Sequence, residues 1–382
     1  MSPSPQTRRR RLAAVLALAA VLALAALLLG ACVGGRDEPE PGAAAATSAP
    51  ATTRDNRPAT TSPQRAGSSR APTGEPVTLA FGGDVHFEGA IGVRLARDPA
   101  TTLGPIANLL RRADLAVVNL ETAITDRGTP AGKEFTFRAP ASALDALKAA
   151  GVDIATMANN HGQDFGVVGL RDSLAAAEAA NFPVAGIGRD AKEAFRAHRF
   201  TVKGQRIAVI GATQVLDASV AAAWSAGDGK PGLASAYDEK RLLAAVRAAR
   251  ASADTVVVDL HWGRELVNCP IDRQRALAPK LVAAGADVVV GSHAHLLLGG
   301  GFLRGAYVHY GLGNFVFYSR GGVTAQTGVL LLTMRGRAVS RVRWAPAVIS
   351  GGIPIPLQGA AADRAEAAWR ALRGCTGLSA NP

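Results

Sequence analysis

The sequence predicts a layered α/β domain with more than one β-sheet. From Val77 onward, short runs rich in Val, Ile and Leu alternate with Ala-, Leu- and Arg-rich stretches of helical period. Near the end, Val329–Met334 and Arg341–Ala347 are two apolar runs joined through Arg335-Gly336, which is typical of an antiparallel strand pair. Alternating strands and helices followed by late β-structure indicate several layers packed together.

The individual elements follow from the period of the apolar residues. The runs expected to form strands are Val77–Phe81, Leu115–Asn119, Asp153–Met157, Arg206–Gly211, Thr255–Leu260, Asp287–Val290 and Ala306–Tyr310. The stretches expected to form helices are Ile106–Arg112, Ala141–Ala150, Val167–Ala180, Glu239–Ser252, Asp272–Ala284 and Ala361–Arg373.

The N-terminus predicts export. Four arginines, Arg8 to Arg11, precede an apolar run from Leu12 to Leu29, and Gly30-Ala31 stands directly before Cys32. This pattern is typical of a secretory signal peptide over residues 1–31. Its last residues resemble a bacterial lipobox, which implies cleavage before Cys32, a lipid on that cysteine, and a protein held outside the cytoplasmic membrane. The alternative is a retained membrane anchor, which also places the domain outside. The arginines leave Sec and twin-arginine export open.

The remaining boundaries follow from composition. Residues 32–75 are rich in Ala, Thr, Pro and Ser and predict a disordered tether, residues 76–375 the folded domain, and residues 376–382 a flexible tail. Two further cysteines, Cys269 and Cys375, lie within the domain. In an oxidising compartment an even pair favours a disulfide, which would fasten the C-terminal helix to the body of the domain.

The chain is basic, with a formal net charge of +12. Such a surplus favours anionic partners such as wall polymers or lipid head groups, although heavy use of Arg, Ala and Gly is also typical of a GC-rich genome. No basic stretch interleaved with aromatic residues and no nucleic-acid motif is present, so we expect no nucleic-acid partner.

Five predicted strand ends carry polar residues that can bind a metal ion. They are Gly83-Asp84-Val85-His86, Asn119-Leu120-Glu121, Asn159-Asn160-His161, His261-Trp262-Gly263 and His293-Ala294-His295. Five of the seven histidines lie in these segments, and only His198 and His309 lie elsewhere. In open α/β sheets, binding sites form at the carboxyl ends of the strands, so we expect the five segments to converge.

The types of side chain indicate which metals would suit such a site. Imidazole together with carboxylate suits Zn, Mn, Fe or Co. Thiolate is absent from the five segments, so a closed structural zinc site is not expected.

In their order and their residues, these segments resemble the motifs of the CapA family of poly-γ-glutamate capsule-synthesis proteins, within the calcineurin-like metallophosphoesterases. The matching blocks run from about Val77 to Phe317 and are Gly83-Asp84, Asn119-Leu120-Glu121, Ala158-Asn159-Asn160-His161 with Asp164 and Gly166, His261-Trp262-Gly263 with Glu265, Gly291-Ser292-His293-Ala294-His295, and Gly311-Leu312-Gly313-Asn314-Phe315. The resemblance implies a multilayer α/β/β/α sandwich. Glu121 stands where typical phosphoesterases have a bridging aspartate, which is expected to alter metal spacing or to weaken hydrolysis.

The resemblance also implies two divalent metal ions, with Mn, Zn and Fe as candidates. One ion would be held by Asp84, His86, Glu121 and His295, and the other by Glu121, Asn160, His261 and His293. A shared carboxylate brings two cations close enough to activate one hydroxide and polarise a phosphate. By the same resemblance His161 is the catalytic residue that assists the leaving group, with an additional ligand or a structural hydrogen-bonding role as the alternative.

Further residues are expected to lie around the metals. Asn119, Asn159 and Asn314 are expected to hydrogen-bond within the site. Two of the other residues, Trp262 and Arg138, have two interpretations each. Trp262 either walls the pocket or packs internally, Glu265 orients a metal-bound histidine, and Arg138 either meets a substrate anion or lies at the surface.

Two functions are consistent with these residues. The first is an extracytoplasmic, metal-dependent hydrolase that acts on a phosphoester or another acyl or phosphoryl bond. The second is an assembly factor for an anionic cell-surface polymer, with other capsule-assembly proteins as partners, in which the metal site binds the polyanion without cleaving it. A fold that has lost its metal is disfavoured because every expected ligand position holds a competent side chain.

Overall fold

The structure is a computed structural model that describes residues 74–319 and 321–382. The predicted signal peptide, the lipidation site Cys32 and nearly all of the tether lie outside these residues. Contacts group the described residues as one compact unit. In the described part of the chain, no helix combines the length and the apolar character that crossing a bilayer requires.

Eighteen strands and nine α-helices make up the described chain. The strands are β1 Val77–Val85, β2 Leu115–Leu120, β3 Ala123–Ile124, β4 Arg138–Ala139, β5 Ile154–Thr156, β6 Val184–Ala185, β7 Ile187–Gly188, β8 His198–Val202, β9 Gln205–Thr213, β10 Gly232–Leu233, β11 Thr255–His261, β12 Val288–Ser292, β13 Gly300–Leu303, β14 Ala306–His309, β15 Asn314–Val316, β16 Gln326–Arg335, β17 Ala338–Ser350 and β18 Ile353–Pro356. The α-helices are α1 Ala90–Arg97, α2 Ala107–Leu110, α3 Ser142–Ala149, α4 Gly166–Ala179, α5 Ala191–Ala194, α6 Ala221–Trp224, α7 Glu239–Arg250, α8 Asp272–Ala284 and α9 Gly359–Ala371. Short 3-10 helices span Pro99–Thr101, Gly104–Ile106, Gly322–Ala325 and Leu372–Cys375.

Two large sheets dominate the fold. The first has the order β18-β17-β16-β1-β2-β5-β6, and β15 also pairs with the end of β1. The second has the order β13-β14-β12-β11-β9-β8. Strands β1, β2 and β5 are mutually parallel, as are β9, β11 and β12, so each sheet brings several carboxyl ends to one edge.

The alternation of side chains along the strands builds the layers. In β1 and β2, Leu79 and Val117 face a core shared with Val209 and Val257 of the second sheet. The residues between them point to the opposite faces, because successive side chains of a strand alternate. The outer face of the first sheet packs on α1, α3 and α4, and that of the second sheet packs on α7 and α8. The chain therefore forms an α/β/β/α sandwich, which confirms the predicted fold class.

The predicted elements are all present, and the largest differences lie at their ends. Strand β1 continues to Val85 and β11 to His261, because both remain in the sheet through the polar residues that follow the apolar run. Helix α1 and several short strands, including β8 and β15, were not predicted, since each of them spans only a few residues. The antiparallel pair β16 and β17 is observed, and it extends beyond the predicted bounds on both sides.

The C-terminus is fastened in two ways. Cys269 and Cys375, the pair for which a bridge was predicted, form a disulfide with their Cα atoms 5.8 Å apart. Within the segment 376–382, predicted as a flexible tail, Ser379 exchanges two backbone hydrogen bonds with Phe302 of β13. These bonds hold the middle of that segment against the sheet.

Candidate metal centre

The carboxyl ends of parallel strands from both sheets meet at one place. In the first sheet Asp84 of β1 pairs in register with Asn119 of β2, and Glu121 follows directly after β2. In the second sheet His261 of β11 pairs with Ser292 of β12, and His293 comes next in the chain. The fold thus brings together residues that are far apart in the sequence, as the strand-end pattern predicted.

The backbone at this place is tightly packed and locally strained. A Cβ atom on Gly83 would lie 1.8 Å from the carbonyl oxygen of Gly313, so only glycine allows β1 and the residues before β15 to approach this closely. His293 and His295 have φ values of 93° and 54°, which non-glycine residues rarely adopt. Such strain is typical of functional sites, where the surrounding structure holds the residue in place.

Two groups of potential ligands share one carboxylate. Glu121, His261 and His293 form one group, and Asp84, Glu121 and His295 form the other, with the ligand atoms of each group within 4.8 Å of one another. The two groups are the ligand sets that the resemblance implied, with Glu121 shared, but without His86 in one and without Asn160 in the other. Each group could hold a metal ion.

Glu121 is the electrostatic centre of the cluster. Its side chain is fully buried, and neither carboxylate oxygen accepts a hydrogen bond from residues 74–319 or 321–382. Burial, followed by the charge of Asp84, raises the pKa of Glu121 well above its usual value. A buried carboxylate without donors is strongly destabilised unless a cation neutralises it. This observation fits bound metal ions at the position where the sequence predicted them.

Hydrogen-bonding contacts among the side chains of Asp84, Asn119 and Asn159 reach His261 and so link the two sheets. Asn119 donates through Nδ2 to Asp84 Oδ1 at 2.8 Å, and the same Nδ2 lies 3.1 Å from His261 Nδ1. Asn159 donates to Asn119 Oδ1 at 3.0 Å and to the Leu120 carbonyl at 2.9 Å. Asn119 therefore holds Asp84 and His261 in place, as expected for a residue that orients metal ligands.

His261 and His293 are held as neutral imidazoles. Burial, followed by the charges of neighbouring histidines, lowers the pKa of His261 well below 6.5. Burial also lowers the pKa of His293 to about 3. His261 Nε2 lies 2.7 Å from Asn160 Oδ1, whereas His293 Nδ1 is buried without a hydrogen-bond partner. Neutral imidazole is the form that ligates metals, so both histidines are ready to bind.

His295 differs from them because it lies beside carboxylates. Burial lowers its pKa, but the hydrogen bond with Asp84 and the charge of Glu121 outweigh burial and raise the pKa to about 10. Its Nδ1 lies 2.8 Å from Asn314 Oδ1 and 3.5 Å from Asp84 Oδ2. A positive charge is therefore favoured at this position, whether a proton or a metal ion provides it.

His161 lies beside the cluster and faces Glu121. Its Nε2 is 3.8 Å from Glu121 Oε1, and its Nδ1 is 2.6 Å from Asp164 Oδ2. The ring stacks on Phe137 with centroids 4.1 Å apart. Burial is the main cause that lowers the pKa of His161. Asp164 and Phe137 fix the ring so that Nε2 points toward the ligand cluster.

His86 belongs to neither ligand group in the described chain. Its Nδ1 accepts a hydrogen bond from the Glu88 N–H at 2.9 Å, and its Nε2 lies 3.3 Å from the N–H of Tyr318. The ring also stacks on Phe137. Ligation by His86 therefore stays a prediction, and it requires the ring to turn away from these donors.

The other predicted residues have different surroundings. Trp262 is fully buried and donates to the Tyr310 carbonyl at 2.9 Å, which matches internal packing rather than a pocket wall. Glu265 is exposed, and its side chain makes no hydrogen bond to a histidine of the cluster in the described residues. Arg138 is exposed, and its guanidinium lies 5.0 Å from the centre of the Phe165 ring.

Two residues of the site were not predicted. Lys133 contacts the segment that carries His161, and it lies in a polar loop that shows no motif. Asp259 of β11 is buried below the cluster, where burial and the charge of Asp84 raise its pKa to about 7. Its position inside an apolar strand was the available signal, because a carboxylate there requires a special environment.

Comparisons with known proteins identify relatives in sequence and similar solved structures. The capsule biosynthesis protein CapA of Bacillus anthracis is 33% identical over 233 residues, which cover 60% of this chain and 56% of that one. The PGA biosynthesis protein CapA of Bacillus subtilis is 31% identical over 253 residues, 65% of each chain. The chain thus spans somewhat more than half the length of these relatives. A novel phosphatase from Mycoplasma pneumoniae superposes with a TM-score of 0.47 at 15% identity, over 72% of this chain and 95% of that one.

The family model described as bacterial capsule synthesis protein PGA_cap matches residues 78–319, which include every predicted metal ligand. Since this match spans well over half of the 382 residues, the chain belongs to the PGA_cap family of bacterial capsule synthesis proteins, to which it was likened on its strand-end motifs.

Proposed function

We propose that this protein acts in the biosynthesis, anchoring or export of an anionic cell-surface polymer of the poly-γ-glutamate type, and that it does so by metal-dependent hydrolysis. Membership of the capsule-synthesis family supports the process. The observation that carries the chemistry is Glu121, a fully buried carboxylate that accepts no hydrogen bond and belongs to two ligand groups at once.

Two divalent cations at these groups, Mn, Zn or Fe, would supply a nucleophilic hydroxide and polarise the bond that is cleaved. The protein residues prepare the site for them. Asp84 and Glu121 provide the negative charge, and neutral His261 and His293 provide nitrogen ligands. Asn119 keeps Asp84 and His261 at a fixed separation through its two hydrogen-bonding contacts.

His161 is the proposed proton donor to the leaving group. Asp164 accepts from Nδ1, so the proton to be transferred is carried on Nε2, the atom that faces Glu121. A substrate anion near the cluster raises the pKa of His161 and so favours the protonated form. The buried surroundings strengthen this interaction because little water screens it.

The proposed location is the outer face of the cytoplasmic membrane, with the protein anchored through a lipid on Cys32. The leader and lipobox pattern of the sequence support this proposal. The disulfide between Cys269 and Cys375 fits an oxidising compartment. Metabolic labelling with a radioactive fatty acid tests it, since label should appear on the protein and be lost in Cys32→Ala.

Turnover of an aryl phosphodiester by the purified protein with Mn²⁺ or Zn²⁺ tests the catalytic proposal. We expect activity that EDTA abolishes and that His161→Ala lowers by about 100-fold or more, the usual contribution of a proton donor. His198→Ala is the matched control, because His198 lies in β8, outside the cluster, and should leave activity unchanged. Metal binding and tight polyglutamate binding without any turnover would refute hydrolysis and favour the assembly role.

A further inference from the structure

The loop between β3 and β4 reaches into the metal centre with a single cation, Lys133. Its side chain is only 16% exposed, and Nζ lies 2.6 Å from Asp164 Oδ1. Building on the proposed two-metal function, we propose that Lys133 is a positioning residue, which holds Asn160 and His161 in the orientation needed for metal binding and proton transfer.

The polar contacts of the Lys133 side chain fall on one short segment, Asn160 to Asp164. Besides Asp164, the ammonium group donates to the carbonyl oxygen of Asn160 and lies 3.3 Å from His161 Nδ1. It also lies 5.4 Å from the centre of the Trp224 ring, which favours a cation. One side chain thus touches the predicted ligand, the predicted proton donor and the carboxylate that orients that donor.

Asp164 requires such a partner. Its side chain is fully buried, and Oδ2 already accepts from the Phe137 N–H at 2.7 Å and contacts His161 Nδ1. A buried carboxylate without a counter-charge is strongly disfavoured. Lys133 neutralises Asp164, so the carboxylate stays in the place from which it orients His161.

The contact with the Asn160 carbonyl has a second consequence. Asn160 Oδ1 reaches His261 Nε2 at 2.7 Å, so the position of this residue decides whether its amide can join the ligand group of His261 and His293. Lys133 fixes the peptide from which that amide projects. Loss of the lysine is therefore expected to affect the Asn160 side of the centre and to leave the site of Asp84 and His295 largely intact.

Calorimetric titration of the metal-free protein with Mn²⁺ tests the proposal in Lys133→Met. We expect one of the two binding events to weaken by 10- to 100-fold, the usual effect of losing a residue that orients ligands, and the other to remain. The visible absorption of the Co²⁺-loaded protein should change as well, because it reports on the coordination. Lys280→Met is the matched control, since Lys280 forms an ion pair of the same 2.6 Å length with Glu239 on the protein surface.

A double variant, Lys133→Met with Asp164→Asn, removes both charges and covers the case in which the single variant does not fold. It should fold and show the same weakened binding event. Wild-type affinity for both ions and an unchanged Co²⁺ spectrum in either variant would overturn the proposal. If the wild type binds two ions but turns over no substrate, the proposed hydrolysis is refuted. The effect of Lys133→Met on metal affinity then still decides whether Lys133 positions the ligands.

Discussion

Replacing Glu121 by glutamine tests whether two cations share this side chain. The amide has nearly the same shape, but it carries no charge and binds metals weakly. A ligand present at 100 times its dissociation constant stabilises the folded state by about 2.7 kcal/mol. Two cations at that excess give about 5 kcal/mol, which corresponds to a rise in melting temperature on the order of 10 °C for a domain of this size. We expect this rise in the wild type with Mn²⁺ or Zn²⁺ and its loss in Glu121→Gln.

The same substitution should have the opposite effect without metal. Because burial raises the pKa of Glu121 above its unfolded value of 4.5, the folded state binds the proton more tightly. Stability of the metal-free wild type is therefore highest below that value and falls by up to about 1.4 kcal/mol per pH unit until Glu121 ionises. Glu121→Gln lacks this loss, so in EDTA near neutral pH it should be at least as stable as the wild type.

Urea denaturation in EDTA and in excess metal measures both effects. Glu178→Gln is the matched control, because Glu178 is exposed on α4 and pairs only with Arg189 in the described residues, so the same change there should leave the response to metal as in the wild type. Equal metal-induced stabilisation of Glu121→Gln and the wild type would refute the shared-ligand assignment. A large loss of stability of Glu121→Gln in EDTA would show that the carboxylate is needed for folding rather than for metal binding.

Three further predictions concern the scaffold. Cys375→Ser removes a disulfide between residues separated by 106 positions and should lower the free energy of unfolding by about 2–5 kcal/mol, measured with urea and compared with the reduced wild type. Burial lowers the pKa of His309 from 6.5 to about 3, so His309→Gln should reduce the loss of stability between pH 6.5 and 3, by up to about 1.4 kcal/mol per pH unit. Gly83→Ala should weaken metal binding and thermal stability because its Cβ meets Gly313, whereas Gly132→Ala, with open space around it, should change neither.

The fold was predictable because strand-forming runs and helix-forming stretches alternate along the sequence. In β1 and β2, apolar residues face both the inter-sheet core and the helices, so the runs are continuous and β-branched, as expected for strands buried on both faces. Helix α8, Asp272–Ala284, was predicted with the observed bounds. Elements such as β15, with three residues, were not, because pairing to the end of β1 rather than local sequence defines them.

The site was predictable only in part for a related reason. Metal ligands cluster at strand ends and are of recognisable types, so both groups around Glu121 could be expected. Lys133 could not, since its role depends on how the loop between β3 and β4 folds back over Asp164. The exposure of Glu265 and the hydrogen bonds that His86 accepts likewise depend on loop conformation. The spacing of apolar residues in the sequence does not predict the conformation of a loop.

The position of the cluster explains why the two sheets need a polar bridge at one end. The core that the two sheets share is largely apolar and is stabilised mainly by burial. At the carboxyl ends, Asp84 from the first sheet and His261 from the second approach each other, and the Asn119 amide contacts both. Glu121 adds a carboxylate that accepts no hydrogen bond from the described residues. Because such a buried carboxylate opposes the packing of the sheets unless cations neutralise it, the metal ions of the proposed function would bind at this junction and fasten the two sheets together.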